Sequence, residues 1–162
     1  MSEKFNKLAR EMRVGTVISL EILRGISEDD FHDLIVNYVS CRESQPVSEK
    51  SLIKFPDAIK YIYSTYMADI DILCGGLEQY FTNTGFIYVD DAILGYKYLG
   101  LLNVSELLER AKTAKHTRDW AQASIIEKEF FELNLDFNLI RYKYFEENID
   151  GFIPEPDSYY DW

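Results

Sequence analysis

Carboxylates at helical spacing are the side chains of this sequence best placed to act on a partner. Asp29 and Asp33 stand four apart, Glu129, Glu132 and Asp136 follow one another at three and four, and Glu146 and Glu147 precede Asp150 by four and three. Asp30, Asp90 and Asp91 extend the set. Four residues of helix rise about 6 Å, and neighbouring phosphates on one DNA strand lie roughly 6–7 Å apart. Acidic rows of this kind therefore match the scale of a nucleic-acid backbone. Lys143 facing Glu147, Arg110 facing Glu106, and Lys128 inside the 127–132 cluster are expected to dilute the field. The acids at 28–33 also serve a local purpose, because a helix N-terminus favours negative charge.

Other chemistry finds little support. The two histidines, His32 and His116, fall on the acidic side of a helix and in a polar linker, neither a setting for a catalytic base. Cys74 beside Gly75-Gly76 is the best nucleophile candidate, since a helix start lowers a thiol pKa. No histidine is placed to activate it, so a buried, inert thiol is the expectation. Asp69, Asp71 and Glu78 match no calcium loop, and no phosphate loop, dinucleotide fingerprint or zinc motif is present. No catalytic, cofactor-binding or metal-binding residue is assigned.

Bulk composition frames these choices. The 162 residues suffice for one domain with a real core. An apolar share of 47% and an aromatic share of 15% describe a globular chain rather than a disordered one. Net charge is −11, which repels nucleic acid and anionic membrane and attracts basic partners. Residues 1–26 carry five bases and three acids, while residues 127–162 carry ten acids and three bases. Cys41 and Cys74 form no CxxC and read as reduced thiols. Met1–Arg13 is charged throughout, so no signal peptide is expected. No apolar run nears the roughly 20 residues that span a bilayer, and a cytoplasmic protein is expected.

The elements that must position these residues are helices. Ser27 and Asp30 form a capping box for a helix whose stripe is Phe31, Leu34, Ile35, Tyr38 and Val39. Pro56 opens a second helix with a buried face of Ile59, Ile62, Tyr63, Tyr66, Met67, Ile70 and Leu73. Asn83-Thr84-Gly85 closes it. An aspartate at 90 or 91 caps the next, which stops at Gly100. Asn103 with Glu106 caps a fourth, and Thr117 opens a fifth. Phe137, Ile140, Tyr144 and Phe145 line a sixth. The fold class is all-α, a single compact multi-helix domain. Residues 1–26 form an N-terminal amphipathic segment of it, 27–153 its helical body, and 154–162 an acidic aromatic tail.

The glycine pair interrupts the strongest helix. A glycine in a helix interior costs about 1 kcal/mol against alanine, so two in succession require a reason. Either the backbone leaves right-handed geometry there, or the missing side chains admit a close neighbour. Gln79 and Asn83 then share a face. Gln79 is placed to tie a loop to the helix, and Asn83 to bond freed carbonyls or the following loop.

The stretch "DIDILCGGLEQYFTNTG", followed by "VDDAILGYKYLGLLNVSELLERA", resembles the DNA mimic protein 19-like domain family, formerly a domain of unknown function. Asp71, Ile72, Gly75, Gly76, Gln79, Tyr80, Phe81, Asn83 and Gly85 take the places of its pattern. Cys74 stands for the usual Asn, Leu77 for an aromatic, and Asp71 for Glu. The match covers roughly residues 59–111. It implies an all-α fold. For one characterised branch it implies an acidic surface that imitates DNA, occupies a DNA-binding protein and acts as a homodimer.

The sequence therefore points to a non-enzymatic acidic protein with a basic partner, no direct nucleic acid and no cofactor. The foremost form is a DNA mimic occupying a basic regulator or nucleoid protein. The alternatives are an immunity or antitoxin-type neutraliser of a basic toxin domain and a small-ligand protein or enzyme using the Cys74 region.

Overall fold

The computed structural model describes residues 20–42, 52, 55–84 and 86–153. The chain is all-α, and no strand occurs among the described residues. Its helices are α1 (Leu20–Leu23), α2 (Glu28–Arg42), α3 (Asp57–Thr84), α4 (Val89–Tyr98), α5 (Leu102–Thr117), α6 (Trp120–Glu132) and α7 (Phe137–Glu147). A 3-10 helix follows at Ile149–Phe152. The expectations for residues 1–19, the loop 43–51, Gly85 and the tail 154–162 lie outside the described residues. No helix among the described residues is long and apolar enough to cross a membrane.

Contacts divide the chain into two units, a terminal one (Met1–Tyr63 with Asn138–Trp162) and a central one (Ser64–Phe137). In the terminal unit, Ser27 begins α2 as its sequence predicts. Its hydroxyl accepts the Asp30 N–H at 3.3 Å and donates to the Asp30 carboxylate at 3.0 Å. The stripe from Phe31 to Val39 is fully buried. Phe31 stacks on Phe145 at 4.5 Å and meets Phe152 edge-on at 6.0 Å, the offset and T-shaped geometries that aromatic quadrupoles favour.

The central unit buries Ile72, Leu77, Tyr80, Val89, Tyr96, Leu108, Ile126 and Phe130 in one cluster. Its helix ends explain the sharp turns between α4, α5 and α6. Gly100 takes φ 76°, its N–H bonds Lys97 O at 3.0 Å, and Leu101 N–H bonds Tyr96 O at 2.8 Å. That pair of bonds is the Schellman closure. Arg118, at φ 58°, repeats it with Asp119 N–H on Ala114 O at 2.9 Å. Ser105 then ties α5 to α4 by donating to Ile93 O at 3.0 Å.

Three expected caps are displaced. Tyr88, not an aspartate, precedes α4, and Leu101, not Asn103, precedes α5; neither gives a side-chain cap. The Schellman closure after α4 brings the chain into α5 before Asn103, so that residue is already helical. Asp119 rather than Thr117 caps α6, accepting Gln122 N–H at 3.0 Å. The left-handed Arg118 carries α5 through Thr117 and delivers the next residue to the cap position.

The buried face of α3 also departs from its apolar stripe. Ile59, Ile62 and Tyr63 are buried, but Ile70 and Leu73 are 39% and 51% exposed. From Ser64 to Ile72 the buried positions are Ser64, Thr65, Ala68, Asp69, Asp71 and Ile72, and all but Asp71 form a stripe rotated by about one residue, or roughly 100°, on a 3.6-residue helix. The rotation begins where α3 enters the central unit, and Ala68 and Ile72 belong to the core cluster of that unit.

Candidate functional site

The glycine pair makes a true break. Gly76 stands at φ 79°, ψ 179°, a region that is essentially glycine's alone. One helical arm ends and a second, residues 77–84, begins. At such a start the backbone N–H groups lose their carbonyl partners. Glu127 Oε2, on α6, accepts the Leu77 N–H at 2.7 Å. Both sequence readings hold at once, because a Cβ on Gly76 would lie 2.3 Å from that same oxygen. Glu127 escapes a sequence reading, since its bond spans 50 residues and no local motif marks it.

Asp71 clamps the two arms. Its Oδ1 accepts Asn83 Nδ2 at 2.8 Å and Gln79 Nε2 at 3.5 Å. The two amides reach back across the break rather than outward to a loop or to freed carbonyls. Asp71 Oδ2 and the Tyr80 hydroxyl are buried without a hydrogen-bond partner among the described residues. Burial, then Asp71, then Asp69, Asp90 and Asp91 push the Tyr80 phenol far above its ordinary pKa, so it stays neutral. Asp69 accepts the Tyr96 hydroxyl at 2.5 Å. Phe81 lies against Tyr80 and Phe86, each at 5.3 Å. The sequence motif is thus a scaffold of the central unit.

The predicted acidic residues divide sharply. In the central unit, Lys112 holds Asp90 at 2.5 Å, Arg110 grips Glu129 through two bonds of 2.6 and 2.9 Å, and Lys128 reaches Glu132 at 3.7 Å. Arg110 was expected on Glu106; it crosses to α6 instead, because the α5–α6 turn sets the two helices side by side. The hydrogen bond to Arg110 holds the Glu129 carboxyl below its ordinary range. Asp91 is half-buried and Asp136 exposed, and both take part in further interactions.

In the terminal unit, Asp29, Glu146, Glu147 and Asp150 are exposed, and Glu28, Asp30 and Asp33 half-exposed. Asp30 is engaged by Ser27. The α2 start and α7 converge on Tyr142, whose hydroxyl donates to Ile26 O at 3.2 Å. Partial burial, then Glu146, then Glu28 raise its pKa, so carboxylates of both helices act at one point.

Other expectations change. Cys74 is exposed rather than buried, since the rotated stripe of α3 turns it outward. His32 is buried, accepting Arg141 Nε–H on its Nε2 at 3.2 Å, while Arg141 also donates to Asn138 at 2.8 Å. An aromatic neighbourhood that includes Phe31, 5.0 Å away, draws the imidazole inward. His116 belongs to the last turn of α5 and stacks flat on Phe86 at 4.5 Å.

A cavity of about 350 Å³ opens at the glycine corner, with Leu77, Phe81, Lys115, Trp120 and Glu127 among its walls. No group of acids, histidines and cysteines able to hold a metal occurs among the described residues.

The packing around the glycine break and the helices after it can be set against known families. A family model described as DMP19-like protein matches residues 53–159, more than half of the chain. The chain belongs to the DMP19-like family. No curated protein and no solved structure matches it. The DMP19-like match reaches well beyond the resemblance at 59–111 and takes in α3 to α7 with the Glu127 cap. Of the predicted acidic residues, Asp29, Asp30 and Asp33 precede it, and the others lie inside it.

Proposed function

We propose that this DMP19-like chain is a non-enzymatic, acidic protein-binding module. Its partner is a basic protein whose DNA-binding face it occupies in place of DNA. The surface we assign to this role is that of the terminal unit, formed by Glu28, Asp29 and Asp33 of α2 with Glu146 and Glu147 of α7 and Asp150 beyond it. One observation carries the reading: none of these six is ion-paired with a described residue, whereas Asp90, Glu129 and Glu132 are. An unneutralised carboxylate keeps its field for an incoming cation, and Glu146 of α7 and Glu28 of α2 both raise the Tyr142 pKa.

The test compares capture of basic DNA-binding proteins by the wild type with capture by two variants. One carries Glu28→Gln, Asp29→Asn, Asp33→Asn, Glu146→Gln, Glu147→Gln and Asp150→Asn; the other carries Asp90→Asn, Glu129→Gln and Glu132→Gln. The wild type is expected to hold a DNA-binding protein at low salt and to release it to added DNA or rising salt, as charge-driven binding requires. The six-site variant should lose it and the three-site variant keep it. Recovery of no DNA-binding protein at low salt, or equal capture by the six-site variant, refutes the proposal.

A further inference from the structure

The cavity at the glycine corner already shows what its walls stabilise. Lys115 Nζ lies 4.8 Å from the Trp120 ring centroid and 6.0 Å from that of Phe81, within the range in which a ring face attracts a cation. In the same unit Lys97, Arg110, Lys112 and Lys128 each hold a carboxylate. Lys115 has none among the described residues. Its ammonium is seated by rings instead.

Three further features make the seat favourable to positive charge. Lys115 lies in the last turn of α5, where the helix dipole is negative. Glu78 and Glu127 are both wall residues, so the ionisable side chains of the cavity sum to one negative charge. Glu127 uses Oε2 for the Leu77 N–H, and its Oε1 has no partner among the described residues. Trp120 is 51% exposed, so one aromatic wall is open to an incoming group. A volume of about 350 Å³ is at the lower end of small-ligand sites and exceeds what one side chain needs.

We infer that this cavity is a receptor for a single basic side chain, arginine or lysine, of a bound protein, and that Lys115 is its own-chain occupant in the free state. An incoming guanidinium displaces the Lys115 ammonium from the Trp120 face and bonds the free carboxylate oxygen of Glu127. This deepens the proposal of a basic partner and rests on it for the partner's chemistry. The site itself is defined by walls of the central unit alone.

The experiment uses a small probe, so its outcome is separate from partner capture. N-acetyl-L-arginine amide, a monocation, is titrated into the full-length protein and followed by amide chemical shifts; sodium acetate serves as the anionic counterpart. Saturable shifts at residues 75–81 and 111–127 with the monocation, and none with acetate, are expected. Lys115→Ala removes the competing occupant and should tighten the monocation about threefold, while Trp120→Ala weakens it by at least as much. Glu127→Gln should also weaken it, and it can still cap Leu77 through its amide oxygen, so loss of fold does not explain that result. No monocation shifts in the wild type and Lys115→Ala proteins would overturn the inference. So would acetate shifts lost in Lys115→Ala, which would mark an anion site. Binding of the probe without any captured DNA-binding protein would leave this site standing and remove only the wider function.

Discussion

The two units differ in how they use most of the carboxylates described above, the ion pair of Asp57 with Lys60 being an exception in the terminal unit. In the central unit Glu127 caps a helix, Asp71 clamps a break, Asp69 takes a tyrosine hydroxyl, and Asp90, Glu129 and Glu132 hold cations. In the terminal unit Asp29, Asp33, Glu147 and Asp150 form no ion pair with a described residue. Net charge alone hides this contrast. An acid committed to structure contributes to folding, whereas an uncommitted one contributes an external field and a measure of self-repulsion. The formal surplus of a chain is therefore a poor guide to where a partner binds; pairing is the better one.

The sharpest way to break the comparison is at Gly76. Gly76→Ala forces a side chain into a glycine-only conformation and against Glu127, and should cost about 3 kcal/mol in denaturant unfolding. Glu127→Ala should cost about 1 kcal/mol through the lost cap alone. If both were neutral, Glu127 would have no structural role.

A smaller effect is expected at alkaline pH. Tyr80 has its folded pKa raised above the unfolded value near 10. Its contribution is therefore fully present below about pH 10 and is lost as pH rises above that toward the folded pKa. Tyr80→Phe should flatten the alkaline fall in stability, measured as the denaturation midpoint between neutral pH and pH 11. An unchanged slope would mean that the phenol finds solvent on ionising.

The smallest effect sharpens the other side of the contrast. Glu28→Gln with Glu146→Gln should leave stability within about 0.5 kcal/mol of wild type. The same pair should lower the Tyr142 titration midpoint, followed by ultraviolet difference absorbance, because both acids raise it. A clear loss of stability would show these carboxylates to be structural after all.

Local signals were legible in the sequence and long-range ones were not. The Ser27 cap, the Gly100 stop and the break at Gly75-Gly76 each depend on residues within a turn of one another, and each is found in the structure. The stripe through Ile70 and Leu73 misled because apolar spacing does not tell which core a helix will face after it passes from one unit into another. Asn103 was a plausible cap by type, yet the bonds around Gly100 decided where α5 begins. For the candidate surface, residue type picked out the acids. Which of them are neutralised depends on bridges such as Arg110 to Glu129, formed only once α5 and α6 lie together. The cavity at the glycine corner draws on α3, α5 and α6, and no single stretch announces it.

The bond from Glu127 to Leu77 spans 50 residues, which bears on how the chain matures during synthesis. Residues 77–84 are synthesised before α6, so the short arm after the glycine is made with an open amide end. Until α6 arrives, the Leu77 amide lacks its cap, and the bend is held by the Asp71 clamp to Gln79 and Asn83. The last lock on the angle in α3 is thus supplied by a residue synthesised 50 positions after the arm it caps.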